Sequence, residues 1–120
     1  MINSKVLYVI TRGAYSNSSG QEALDAMFVG ASFELDVSVL FIHDGVFQLK
    51  SNQNSRSSGL KEFTKAYKAL ADFGIDNIYI DTLSMNARGL IESELMCDAV
   101  QLSSQAVSEL IKSNRRVFTF

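Results

Sequence analysis

Four polar residues stand directly after short runs of β-branched and aromatic residues. Arg12 follows KVLYVIT, His43 and Asp44 follow DVSVLFI, and Asp81 follows Ile78-Tyr79-Ile80. In open α/β sheets, ligands gather outside the carboxyl ends of the strands, so these four can share one site. Loops after strands are polar by default, and solvation alone accounts for the same residues. His43 is the only histidine, so neither a multi-histidine metal centre nor a Cys-His-Asp triad with spare candidates can be assembled. Its functional reading is a general base oriented by Asp44. Its structural reading, favoured here, is a polar residue satisfying hydrogen bonds at a strand end.

Cys97 is the only cysteine and lies in Leu95-Met96-Cys97-Asp98-Ala99-Val100. A nucleophilic thiolate needs a cation or a helix N-terminus beside it. The apolar setting, with no cation nearby in sequence, predicts a buried structural cysteine. The run from Thr11 to Gly20, TRGAYSNSSG, offers backbone N–H groups and hydroxyls for a phosphate at a helix start. It departs from a Walker loop because no Gly-Lys-Ser/Thr follows, and it is not Gly-x-Gly-x-x-Gly. Its likeness to the phosphate loop of flavodoxins is loose. A receiver domain is disfavoured because Arg12-Gly13 stands where an acidic pair belongs. No catalytic residue, metal site or cofactor is expected from this inventory.

Composition sets wider limits. The 120 residues, 47% hydrophobic and 20% charged, suit one globular domain over residues 1–120. A formal net charge of -2, without an evident basic patch, argues against a broad nucleic-acid grip. A single cysteine permits no intrachain disulfide and favours a reducing cytoplasm. No signal-peptide pattern opens the sequence, and no apolar run approaches the roughly 18 residues that span a bilayer.

The elements that must position these residues follow from periodicity. Lys5 to Thr11 reads as a strand buried on both faces. Ser19 with Glu22 has capping-box spacing for a helix running to about Phe33. Asp36 to Ile42 is the second strand, followed by a short turn or helical piece at Val46 to Leu49. Lys50 to Gly59 is a polar loop. Leu60 to Phe73 carries an amphipathic stripe and ends at Gly74. Ile78 to Ile80 is the third strand, while Leu83 to Leu90 is too short to assign. Cys97 to Leu102 is a fourth strand, and Ser103 or Ser104 caps a helix ending at Asn114. Arg116 to Phe120 closes the chain as a fifth strand. Strands alternating with helices predict an α/β fold, a mostly parallel five-stranded sheet flanked by helices.

On the first helix, Leu24, Met27, Phe28 and Ala31 share the side expected to pack on the sheet. Ala26, Val29 and Phe33 fall opposite, where a surface helix should be polar. That second strip is a candidate subunit interface.

Taken together, these blocks resemble the DsrE/DsrF-like family, most nearly its TusC/DsrF branch. The resembling residues are Arg12-Gly13 leading to Gly20-Gln21-Glu22-Ala23-Leu24-Asp25-Ala26, then Leu40 through Leu49 with Asp44-Gly45-Val46-Phe47-Gln48-Leu49 as the most specific string. Ala87-Arg88-Gly89-Leu90 and the strand-like end at Phe120 complete them. The resemblance implies a DsrE/flavodoxin-like fold and partnership with TusB- and TusD-like (DsrH- and DsrE-like) subunits, typically as a dimer of heterotrimers. It also implies a TusE-like acceptor reached through the complex, while the charge balance and the lack of a spanning apolar run argue against direct nucleic-acid or membrane contact. The pathway implied is transfer of persulfide sulfur toward 2-thiouridine in tRNA, or sulfur oxidation in the Dsr system. Sulfur-carrying members place a cysteine at the end of strand three, eight residues before the glycine matching Gly89. Counting back gives Asp81, and Cys97 does not match, so the resemblance implies a non-catalytic subunit. A flavodoxin-like binder using the Ser/Gly loop, and a sulfur carrier acting through Cys97, are the alternatives.

Overall fold

Short runs of Val, Ile, Leu and aromatic residues without intervening charge favour strands covered on both faces, and they build the centre of the sheet. The computed structural model describes residues 5–12, 25–27, 29–31, 33, 35–50, 75, 77–95 and 98–120. Five strands, β1 (Lys5–Ile10), β2 (Asp36–Phe41), β3 (Asn77–Asp81), β4 (Val100–Leu102) and β5 (Arg116–Thr119), form one sheet in the order β4-β3-β2-β1-β5. Every pairing is parallel. The chain steps outward from β1 to β4 and then returns to place β5 on the far side of β1. The predicted sheet is therefore the observed one, with β4 limited to three residues.

Helices cover both faces. Residues 25–27 and 29–31 are helical (α1), Thr82–Ala87 form α2 and Ser104–Ser113 form α3. One face carries Val6, Tyr8, Ile10, Val37, Val39, Phe41, Ile78 and Ile80, packed against Met27 of α1 and Met85 of α2. The other carries Leu7, Val9 and Leu40 beneath Val107 and Leu110 of α3. Ser103 is the residue that caps α3, its Oγ accepting from the Ala106 N–H at 3.2 Å. Asn114 ends the helix, its Nδ2 donating to the Leu110 carbonyl at 2.9 Å.

The first helix turns Met27 and Ala31 to the sheet, as the wheel predicts, and departs from it at Ala26. Ala26, assigned to the outer strip, packs against the core, and its carbonyl accepts from the Tyr8 hydroxyl at 3.3 Å. The cause is Gly30. It is buried, and a Cβ there would meet Tyr8 Oη at 3.2 Å and Val37 Cγ2 at 3.3 Å. Ala26 and Gly30 lie one turn apart, so small residues beside buried Met27 bring the helix close to the sheet. Val29 remains 57% exposed, and Phe33, in a turn beyond the helix, is 76% exposed. Burial raises the Tyr8 pKa, and its ring stacks with Phe118 and Phe120.

Several expectations lie outside the described residues: the capping box at Ser19 and Glu22, Leu24, Phe28, the loop 51–59, the helix over 60–73 and Cys97. Among the described residues, no helix is long and apolar enough to cross a membrane.

Candidate functional site

The carboxyl ends of β1, β2 and β3 lie side by side, so the segments leaving them meet above the sheet. After β2 the chain turns at His43 with φ of +54°, a conformation non-glycine residues seldom adopt. It then enters a 3₁₀ helix, His43–Leu49, that passes over the end of β1. Gly45 permits that passage. An added Cβ would stand 1.9 Å from the Ile10 carbonyl oxygen and 2.6 Å from its carbon. At the far side of the same 3₁₀ helix, buried Gln48 donates through Nε2 to the Arg12 carbonyl at 2.9 Å. Gln48 thereby fixes the exit from β1.

The third strand ends in Asp81, 5% exposed. Its Oδ2 accepts from the Ser84 N–H at 3.1 Å and from the Ser84 hydroxyl at 2.5 Å. Asp81 is thus the N-cap of α2, bonding the third residue of the helix. Ser84 Oγ also accepts from the His43 N–H at 2.8 Å. A continuous chain of hydrogen bonds runs from the turn after β2 through Ser84 to the Asp81 carboxylate.

A second tie lies further out. Arg88 Nε donates to Asp44 Oδ1 at 2.9 Å, and Arg88 Nη1 donates to the Ser84 carbonyl at 3.3 Å. Gly89 follows with φ of +67°, its N–H bonding Asn86 while Leu90 bonds Met85. That is the Schellman closure of a helix, where glycine avoids the strain a side chain would bring. The Asp44–Arg88 pair is partly solvated, so we expect Arg88→Ala to cost about 1 kcal/mol or less. A urea midpoint shift well above that range would show that the pair holds the turn as a unit.

The structure therefore brings together Asp44, Gly45, Gln48, Asp81 and Arg88. Arg12 joins only through its backbone carbonyl, and its side chain is exposed. His43 is engaged through its backbone N–H, and Asp44 gives Oδ1 to Arg88, so no His43–Asp44 general-base couple is built. Phe47 is half-buried in the 3₁₀ helix, while Gly13 and Glu22 lie outside the described residues. Ser84 was missed by sequence reasoning, although Asp81-Thr82-Leu83-Ser84 has the spacing of a cap and its acceptor site. The described side chains hold no group of three or more metal-ligating residues, and no buried polar atom among them lacks a partner. Among the described residues, the arrangement is a hydrogen-bonded clasp across the strand ends.

Comparison with known proteins bears on what such a clasp serves. The profile of the DsrE/DsrF-like family matches residues 4–120. The intracellular sulfur oxidation protein DsrF of Allochromatium vinosum is 34% identical, over 97% of this chain and 96% of its own. A TusC homologue of Pseudomonas aeruginosa is 35% identical, over 97% and 98% respectively. In fold, the chain is similar to the ychN protein of E. coli, with a TM-score of 0.80 at 18% identity over 97% and 98% of the two chains. With the family matched over nearly the whole chain and two relatives above 30% identity, the protein belongs to the DsrE/DsrF-like family.

Proposed function

We propose that this chain is a subunit of a cytoplasmic sulfur-relay complex and does not itself accept the sulfur. The full-length likeness to DsrF and TusC homologues supports the relay. The observation that carries the non-accepting role is Asp81. Persulfide transfer needs an acceptor thiolate to attack the outer sulfur of the donor persulfide, forming a new S–S bond as the donor's own S–S bond breaks and its thiolate leaves, which a carboxylate cannot do. Asp81 stands at the end of β3, where sulfur-carrying members of the family place their cysteine. It is buried and committed to Ser84. The clasp leaves it a cap, and its role is to hold the strand-end surface in shape for a neighbouring subunit that carries the sulfur.

On this reading the partners are TusB- and TusD-like subunits, with a TusE-like acceptor downstream and 2-thiolation of the tRNA wobble uridine as the end point. The likeness to DsrF favours a second reading, a DsrEFH-type complex in sulfur oxidation. The exposed pair Val29 and Phe33 is the proposed contact with a partner subunit. We expect Val29→Glu with Phe33→Glu to abolish co-purification with co-expressed neighbouring subunits. Stability of the isolated chain should change by less than about 0.5 kcal/mol, since both side chains already face solvent. Unaltered co-purification would remove this surface from the interface, and loss of the fold would return it to the core.

A further inference from the structure

We propose that the free edge of β5 accepts an extended, acidic segment of another protein as a sixth strand of the sheet. The contact rests on the edge strand and stands whether or not the sulfur-relay reading holds. β5 ends the sheet beside β1, and every residue from Arg116 to Thr119 is exposed. Phe120 turns both of its backbone groups to β1. Its N–H donates to the Val9 carbonyl at 2.8 Å, and its carbonyl accepts from the Thr11 N–H at 2.7 Å. Along a parallel strand, the backbone groups of successive residues turn to opposite neighbours. Phe118 and Arg116 therefore also bond β1, while Val117 and Thr119 direct N–H and C=O outward, where no described strand meets them. Those groups are open to an added strand.

The side chains along that edge alternate between the two faces of the sheet. Val117 and Thr119 pair with Leu7 and Val9, which lie beneath α3, so they belong to that face. Arg116 and Phe118 pair with Val6 and Tyr8 and belong to the opposite face. An added strand would set one row of side chains beside Val117 and the other beside Arg116. The fitting segment carries β-branched residues in the first row and acidic residues in the second.

Charge decides what occupies the edge. Exposed Lys112, Arg115 and Arg116 follow one another where α3 gives way to β5. Among the described residues none of the three pairs with a carboxylate. Glu109, one turn before Lys112, accepts from Gln105 at 3.4 Å instead. Basic residues on an edge repel a like edge, so two β5 strands do not pair with each other. The other edge, β4, is Val100-Gln101-Leu102 and carries no charge. A second copy therefore offers no acidic edge, and the segment comes from a different protein.

Fluorescence anisotropy of the full chain with a labelled peptide of alternating glutamate and valine tests the contact. Wild type should bind it at least about tenfold more tightly than a peptide of alternating lysine and valine. The preference should shrink as salt screens the basic residues. Thr119→Pro removes an outward N–H from an edge strand, where proline is tolerated, and should weaken binding at least about tenfold. Arg115→Glu with Arg116→Glu should reverse the preference toward the lysine peptide. These side chains are exposed, and far-UV circular dichroism checks that both variants fold. Absence of saturable binding, equal affinity for the two peptides, or a folded Thr119→Pro variant that binds like wild type would overturn the proposal. Displacement of the peptide by oligouridylate would also overturn it, by showing a site that reads negative charge without a strand. So would a chain that sediments as an oligomer dispersed by the peptide, since a second copy would then own the edge.

Discussion

Replacing Gly45 by alanine is expected to destabilise the protein by about 3 kcal/mol or more, at the upper end of what overpacking costs. The new methyl would stand 1.9 Å from the Ile10 carbonyl oxygen, and that oxygen already accepts from the Ile42 N–H at 3.0 Å. The clash is set by backbone on both sides, Ile10 in β1 and Gly45 in the 3₁₀ helix, so no side chain can swing aside. To relieve it, the 3₁₀ helix must lift away from β1. That would stretch the Gln48 bond to Arg12 and uncover Val46 and Leu49, which are fully buried. Gly89→Ala is the matched control. There the space around the Cβ is open and the cost is conformational, from φ of +67°, about 1 kcal/mol. Urea unfolding of the two variants, with unchanged m values, should separate them clearly. A Gly45→Ala loss no larger than that of Gly89→Ala would show that the 3₁₀ helix is not pinned to β1.

The second large effect is expected at Asp81. Asp81→Ala removes the cap of α2, worth about 1 kcal/mol, and strands the buried Ser84 N–H and hydroxyl without their acceptor. The N–H bond is the cap already counted, and the stranded hydroxyl adds about 1–3 kcal/mol, so the total expected is about 2–4 kcal/mol. Asp81→Asn keeps a carbonyl oxygen to receive the Ser84 N–H and should lose less than half as much. Thermal or urea unfolding of the pair reads the difference directly. Equal losses would mean that the negative charge, rather than the hydrogen bonds, holds the turn. Negligible losses in both would remove Asp81 from the clasp.

Much of this architecture is legible in the sequence because the central strands are buried on both faces and bear little charge. Lys5 to Ile10 and Asp36 to Phe41 announce themselves, and β5 does so through alternating aromatic and β-branched residues despite lying exposed at an edge. Helix α2 does not, because six residues give less than two turns and no period to read. That Ala26 faces the sheet escapes the hydrophobic wheel for a different reason. The contact of α1 with the sheet is made close by Ala26 and Gly30, whose small size gives little hydrophobic signal while allowing backbones to approach.

The site was legible by position and not by bonding. Asp44, Gly45, Gln48, Asp81 and Arg88 fall where strand ends and a recognisable string place them. That Asp44 would answer Arg88, 44 residues away, and that Ser84 would receive the His43 N–H, 41 residues away, are long-range pairings. No local pattern encodes them. The left-handed turn at His43 was also hidden, because the bond from its N–H to Ser84 and the tight passage of Gly45 arise only once β2 and β3 are paired.

The central claim is that this chain supports sulfur transfer without holding the sulfur. The most direct measurement is intact-mass spectrometry of each subunit after the co-expressed complex is incubated with a persulfide donor carrying labelled sulfur. The account predicts a gain of labelled sulfur on a partner subunit and an unchanged mass for this chain. Labelled sulfur on this chain, lost in Cys97→Ser, would contradict it and make Cys97 the carrier.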